Sequence, residues 1–405
     1  MLRNFFTLGV MSLMFFSLIQ SASGNEARYR ALLGSPLSSD DRDSFVFPSR
    51  FGLYPSHISA FGAVDLYNKN VGGSLAFAYG KKFIGAVFVG IPPSVGVWTS
   101  TQKFQPLLDN RWMDLENPPS ELNRFSTEKM WGTGIGLYGA VNLGSHCVGA
   151  GLTYVAYPKA EIGQSDGNVG HSQALFGYGY HSKKLTFDST LGIDVFWIAE
   201  KERTFAAWSV GFVVRTRLNY SLYEWLNVGL EAKLNYTNEN VAGHAQNVQC
   251  DISGCNTTEY TLENNRFRVS YGVKIGAAFV PHKNISIGLV WHAERTVPWA
   301  SALSYYTQGY SDKDDGRPVF GPLMTIEYQP HSVFAIRASV RYLSNLLPTL
   351  THWVDVTLGV GLRFAKRWNI DLFFRYVGWG FADVSGDTSM TRGPIGLGGS
   401  VGVNF

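Results

Sequence analysis

From His57 to its last residue the chain alternates apolar and polar residues, and this period of two constrains its fold more than any other feature. Leu226, Val228, Leu230, Ala232, Leu234 and Tyr236 share one face of a strand, and Asn227, Gly229, Glu231, Lys233 and Asn235 share the other. Trp208, Val210, Phe212, Val214 and Leu218 oppose Ser209, Arg215, Arg217 and Asn219 in the same way. Phe267, Val269, Tyr271, Val273, Ile275 and Ala277 oppose Arg266, Arg268, Ser270, Lys274 and Gly276. The pattern recurs at Phe334, Ile336, Ala338, Val340 and Tyr342 against Arg337, Ser339 and Arg341, and at Trp368, Ile370, Leu372 and Phe374 against Asn369, Asp371 and Arg375. The last stretch, Ile395 to Phe405, sets Leu397, Val401 and Val403 against Gly398, Ser400, Gly402 and Asn404; Gly399 stands where an apolar residue is usual. One face of each strand is suited to hydrocarbon.

A soluble sandwich also alternates, so the connections must discriminate. The turns near 80, 144, 182, 221, 282, 331 and 366 are short. Those near 92–130, 158–170, 199–204, 241–264, 296–319, 344–351 and 379–392 are mostly long, with Asn68–Asn70 a short exception. Short turns on one side, long loops on the other, segments of about ten residues and Tyr or Trp near strand ends describe a membrane barrel. The fold class expected is all-β: a transmembrane antiparallel β-barrel of about 16 strands, or 14 if the first pair is not formed. Charged residues at 16%, 44 glycines and 14% aromatics suit strands. The net charge of +3 is too small to imply nucleic acid. Past the amino terminus no uncharged apolar run of about 18 residues offers a spanning helix.

Residues 1–24 carry a basic start, a Phe/Leu/Met-rich run and Ala22-Ser23-Gly24, the order of a secretory signal. Residues 25–56 precede the barrel, 57–405, and mix charge, aromatics and proline without periodicity: Asp40, Asp41, Phe45, Phe47, Pro48 and Phe51. This segment reads equally as a periplasmic tail or as a plug inside the barrel. The inward positions of the early strands are mostly small, as at Ser74, Ala76, Ala78, Gly149 and Gly151, which leaves space for something bulky: that segment or a ligand. Later strands turn charge inward: Arg215, Arg217, Glu231, Lys233, Arg266, Arg268, Lys274, Arg337, Arg341, Asp371 and Arg375, with Asp188, Asp194, Glu294, Glu327 and Asp355. Such charges need a wet or paired interior. Cross-strand pairing that stiffens the wall is the favoured reading, and a mildly basic path for polar solutes the other.

Trp98, Phe104, Leu107 and Trp112 on one long connection, with Trp299 on another, form an apolar payload suited to capturing ligand or to packing on itself. Cys250 and Cys255 lie in a polar stretch where a disulfide can form in an oxidising compartment, leaving Cys147 as a buried thiol. Two cysteines without a nearby His pair do not make a zinc site, and no cofactor or metal is expected. No Ser/His pair has the partners of a barrel hydrolase, so the chain does not read as an enzyme.

The plug-length segment, the acidic residues leading into Phe45-Val46-Phe47-Pro48-Ser49, the apolar long loops and the terminal Phe405 together resemble the FadL-type family of outer-membrane transporters. Of that family's Asn-Pro-Ala motif, Pro48 alone matches. The resemblance implies an amino-terminal hatch, loops that capture ligand and passive uptake of small or hydrophobic compounds across the bacterial outer membrane. Expected partners are outer-membrane lipid, the assembly machinery through Phe405, and the substrate. A general diffusion porin and a non-conducting adhesin or structural barrel stand as alternatives.

Overall fold

The structure is a computed structural model, and it describes residues 32, 35–37, 41–54, 56–65, 70–90, 133–162, 165–200, 206–251, 254–301, 319–345, 350–364, 368–382 and 388–404. Asp40, Trp98, Phe104, Leu107, Trp112 and Phe405 lie outside the described residues.

Sixteen strands form one closed antiparallel barrel. They are β1 (His57–Asp65), β2 (Asn70–Gly80), β3 (Phe83–Gly90), β4 (Thr133–Leu143), β5 (His146–Ile162), β6 (Ser165–His181), β7 (Leu185–Glu200) and β8 (Ala206–Tyr223), followed by β9 (Leu226–Asp251), β10 (Gly254–His282), β11 (Ile285–Ser301), β12 (Val319–His331), β13 (Phe334–Asn345), β14 (Leu350–Phe364), β15 (Trp368–Ala382) and β16 (Thr388–Asn404). Each pairs with its neighbours in sequence, and β1 closes the ring on β16 with His57 opposite Asn404 and Asp65 opposite Gly396. Closure gives every strand of the ring a neighbour on both sides, which a strand structure in lipid requires; only the far end of the β9–β10 hairpin runs on beyond its outer neighbours.

The alternation seen in the sequence becomes an outside and an inside. Leu75, Leu137, Leu152, Phe176, Leu191, Phe212, Ile275, Leu289, Val340, Leu358 and Leu372 are exposed around the ring, whereas Arg217, Glu231, Thr325, Arg337, Arg341, Asp355 and Asp371 are buried on the opposite face. Near the short turns the exposed side chains become aromatic: Tyr79, Phe83, Tyr178, Tyr220, Tyr223, Trp225, Phe279, Tyr328 and Phe364. Tyr223, Trp225 and Phe279 stack in sequence along this girdle. Gly399 breaks the outer apolar row, and Leu372 of β15 covers the gap, its Cδ2 lying 2.7 Å from where a Cβ would stand.

Before β1 the chain forms two single-turn 3-10 helices, Asp41–Phe45 and Pro48–Gly52. Pro48 opens the second, where its fixed φ and missing N–H cost nothing. The second turn lies against the inner faces of β4 to β7, and the first packs on the second.

Candidate functional site

The inner wall of β4 to β6 is lined by residues too small to fill a lumen, and the amino-terminal segment occupies the space they leave. A Cβ at Gly149 of β5 would stand 2.5 Å from the Pro48 carbonyl oxygen, and one at Gly179 of β6 would stand 2.8 Å from Ser49 Cβ. No residue larger than glycine fits at Gly149 unless the segment moves. Phe45 and Phe51, both fully buried, pack edge-on at 5.3 Å; Phe45 also meets Phe88 of β3 at 5.0 Å and Tyr138 of β4 at 5.1 Å. Across the lumen, Leu37 packs against Val290 of β11 and Leu323 of β12. Residues of the segment therefore touch both sides of the ring.

The apolar contacts flank a charged centre. The Arg50 guanidinium is fully buried, and its Nε donates to Asp188 Oδ2 of β7 at 2.7 Å, while Nη1 donates to Asp43 Oδ2 at 3.0 Å. Ser49 Oγ donates to the other Asp188 oxygen at 2.8 Å, and His181 Nε2 lies at the same distance from it. Asp43 also accepts from Arg217 Nη1 of β8 at 2.7 Å, and Arg217 bonds Glu231 of β9 through Nε at 2.8 Å and Nη2 at 2.6 Å. The Phe47 ring, 0% exposed, lies under the guanidinium groups of Arg217, Arg50 and Arg215 at 5.0, 5.9 and 6.0 Å. Charge-assisted bonds thus run from the segment through β7 and β8 to β9.

Among the described residues, several other inward charges are also paired. Lys233 donates to Glu294 at 2.5 Å. Lys274 lies 3.9 Å from Glu231. Arg337 bonds Glu327 of β12 at 3.1 Å and reaches Asp371 of β15 across Gly361, whose missing side chain leaves the passage open. Asp355 of β14 accepts from Arg341 at 2.6 Å and from both Nε and Nη2 of Arg375, at 2.9 and 2.7 Å. These links join β12 to β15 from within.

An exterior band of Leu, Ile, Val and Phe, an aromatic girdle and an ion-paired interior are the reverse of a water-soluble barrel. Only a bilayer solvates such a molecule, and antiparallel barrels of even strand number belong to bacterial outer membranes. This is an outer-membrane β-barrel.

No family model and no curated protein matches this chain. Among solved structures it is similar to the Pseudomonas putida toluene transporter TodX, at 12% identity and a TM-score of 0.45, covering 96% of this chain and 100% of that one. It is similar also to the Ralstonia pickettii toluene transporter TbuX, at 12% identity and 0.45, covering 95% and 99%. The monoaromatic hydrocarbon channel CymD gives 11% identity and 0.45, covering 96% and 98%. These likenesses are too distant to bear on what the barrel does, which rests on its own residues.

Of the residues singled out from the sequence, Phe45, Phe47, Pro48 and Phe51 are buried in the lumen, and Arg215, Arg217, Glu231, Lys233, Lys274, Arg337, Arg341, Asp371 and Arg375 face it. Asp41 opens the first 3-10 turn; Arg266 and Arg268 lie on β10, and Trp299 on β11, all described by backbone position. Cys250 and Cys255 are directly opposed in the β9–β10 ladder, and Cys147 is a buried free thiol. The sequence did not single out Arg50 of the segment or Tyr138 and Phe88 of the wall, and Asp43 and Ser49 stood out only as part of the acidic run and of the Phe45–Ser49 motif. The glycines beneath Pro48 and Ser49 were the available signal, because they mark where a second backbone comes close.

Proposed function

We propose that the barrel is a passive channel for small or hydrophobic compounds, held shut toward its short-turn end by the amino-terminal segment, which acts as a plug. The observation that carries this reading is the seat of Asp43–Phe51: buried inside the ring at every residue but Val46, and bound there through the side chains of Asp43, Phe47, Ser49 and Arg50. Side chains of this kind can be released without breaking any rung of the barrel ladder, so closure and barrel stability are separable. The inner face of β2 to β4 that Phe45 and Phe51 cover is apolar, built from Ala76, Ala78, Ile84, Ala86, Phe88 and Ala140, and release of the segment would open it as a track. That track supports a hydrophobic solute over an ion, and it is the basis for a fatty-acid-transporter-like substrate range. The long connections carrying Trp98, Phe104, Leu107, Trp112 and Trp299 are the proposed capture surface. Phe405 and β16 are the proposed handle for the assembly machinery.

Planar-bilayer conductance tests the reading. The intact chain is expected to be closed or to flicker, and a chain lacking residues 25–56 to show a stable pore. Equal, large and steady conductance from both would indicate a general porin; silence from both would indicate a non-conducting structural barrel.

A further inference from the structure

Beyond the plug, toward the long loops, three inward side chains stand side by side: Thr153 of β5 is directly opposite Gln173 of β6, which is directly opposite Asp194 of β7. His171, one pleat further on the same face of β6, bonds Asp194 through Nε2. Gln173 is 2% exposed, and both its amide nitrogen and its amide oxygen lack a hydrogen-bond partner; Thr153 is 4% exposed, and its hydroxyl lacks one too. Leaving such groups unpaired in a buried place is costly, and native proteins rarely tolerate it without a purpose. The plug does not satisfy them. Its backbone touches β5 at Gly149 and β6 at Gly177, each four residues away, about 13 Å along the strand, and Phe45 reaches this level only through the Tyr138 ring, which lies over Gly136 and Gly151 beside Thr153.

We infer that Thr153 and Gln173 form a ligand subsite in the lumen for an uncharged head group that both gives and takes a hydrogen bond, carried on an apolar body. An amide presents one donor side and one acceptor side, and the neighbouring hydroxyl can serve in either role, which matches an alcohol, a phenol or a primary amide. The Asp194 carboxylate beside them disfavours an anion, and no Lys or Arg stands in this row of three. Buried Leu175, Val155 and Val213 on the adjoining pleats suit the apolar body. Within the proposed channel, the subsite would retain polar-headed hydrophobic compounds over plain hydrocarbons.

The inference rests on the channel reading, and the test separates the two. The full chain in detergent is titrated calorimetrically with benzyl alcohol and with ethylbenzene, which keeps the body and replaces the hydroxyl with a methyl group. Gln173→Leu and Thr153→Val are titrated in the same micelles, so that partition into detergent cancels. Benzyl alcohol affinity is expected to fall about five- to tenfold in each variant, with ethylbenzene unchanged. Since no bond within the protein is lost, Gln173→Leu should melt no lower than the parent, whereas a purely structural glutamine would lower the melting point. Equal benzyl alcohol affinity in parent and variants overturns the subsite and leaves the plug conductance result untouched. Gln173-dependent binding without conductance from the plug-deleted chain would keep the subsite and remove the channel.

Discussion

Arg50 sits at 0% exposure with carboxylates on two sides, and its environment decides what its removal does. A buried ion pair adds little when set against an apolar replacement of both partners, but deleting one partner strands the other and costs about 3–5 kcal/mol. Arg50→Ala is therefore expected to unseat the segment while leaving the ladder intact, raising single-channel open probability toward that of the chain lacking residues 25–56. Pairing it with Asp188→Asn relieves the stranded charge, so the double variant should cost clearly less than the two single changes added together, measured as the denaturant dependence of plug release. Additive costs would deny the contact. The Asp188 contact was not legible locally: the two residues are 138 positions apart, and Asp43 of the preceding acidic run is a nearer partner that Arg50 also takes. Asp188 was legible as an inward charge, because its strand parity is fixed by its apolar neighbours. Its partner was not, because parity says which way a side chain points and nothing about what crosses the lumen to meet it.

At the scale of single elements, the strands were legible wherever lipid covers one face and fixes the period. Beyond the bilayer that constraint lapses. The polar stretch expected as a loop between 241 and 264 instead continues as ladder, with β9 spanning 26 residues and β10 spanning 29, joined beyond Asp251 and before Gly254. Nothing in that stretch alternates, so the sequence carried no period to read. The extended hairpin has a consequence for its cysteines. Directly opposed residues in an antiparallel pair hold their Cβ atoms about 4.5–5.5 Å apart, close to disulfide range. Cys250 and Cys255 are expected to be joined in protein recovered from an oxidising compartment. Thiol labelling of unfolded, unreduced chain should then find one free thiol, that of Cys147, and three labelled thiols would contradict the pairing.

For the molecule as a whole, the all-β class and a closed barrel of about sixteen strands, or fourteen without the first pair, followed from alternation and loop lengths; the structure forms that pair, and the content of the lumen was not legible. The small inner wall of the early strands announced a guest without naming it. The structure places Phe45, Phe47, Pro48 and Phe51 there, against Gly149, Tyr138 and the charges of β7 and β8. The plug depends on that placement being the resting state in the membrane. Gly52 offers a direct probe, because a Cβ built on it would lie 3.1 Å from both Cβ and Sγ of the native Cys147. A shift of a few tenths of an ångström brings such a pair to disulfide spacing. The decisive measurement is mass spectrometry of an unreduced digest of Gly52→Cys, made in a Cys250→Ser, Cys255→Ser background and extracted from outer membranes after mild oxidation. A linked peptide joining position 52 to Cys147 in most of the protein is the predicted result. Free thiols at both positions in folded, heat-modifiable barrel would mean that the segment rests elsewhere, and the plug would fall with it.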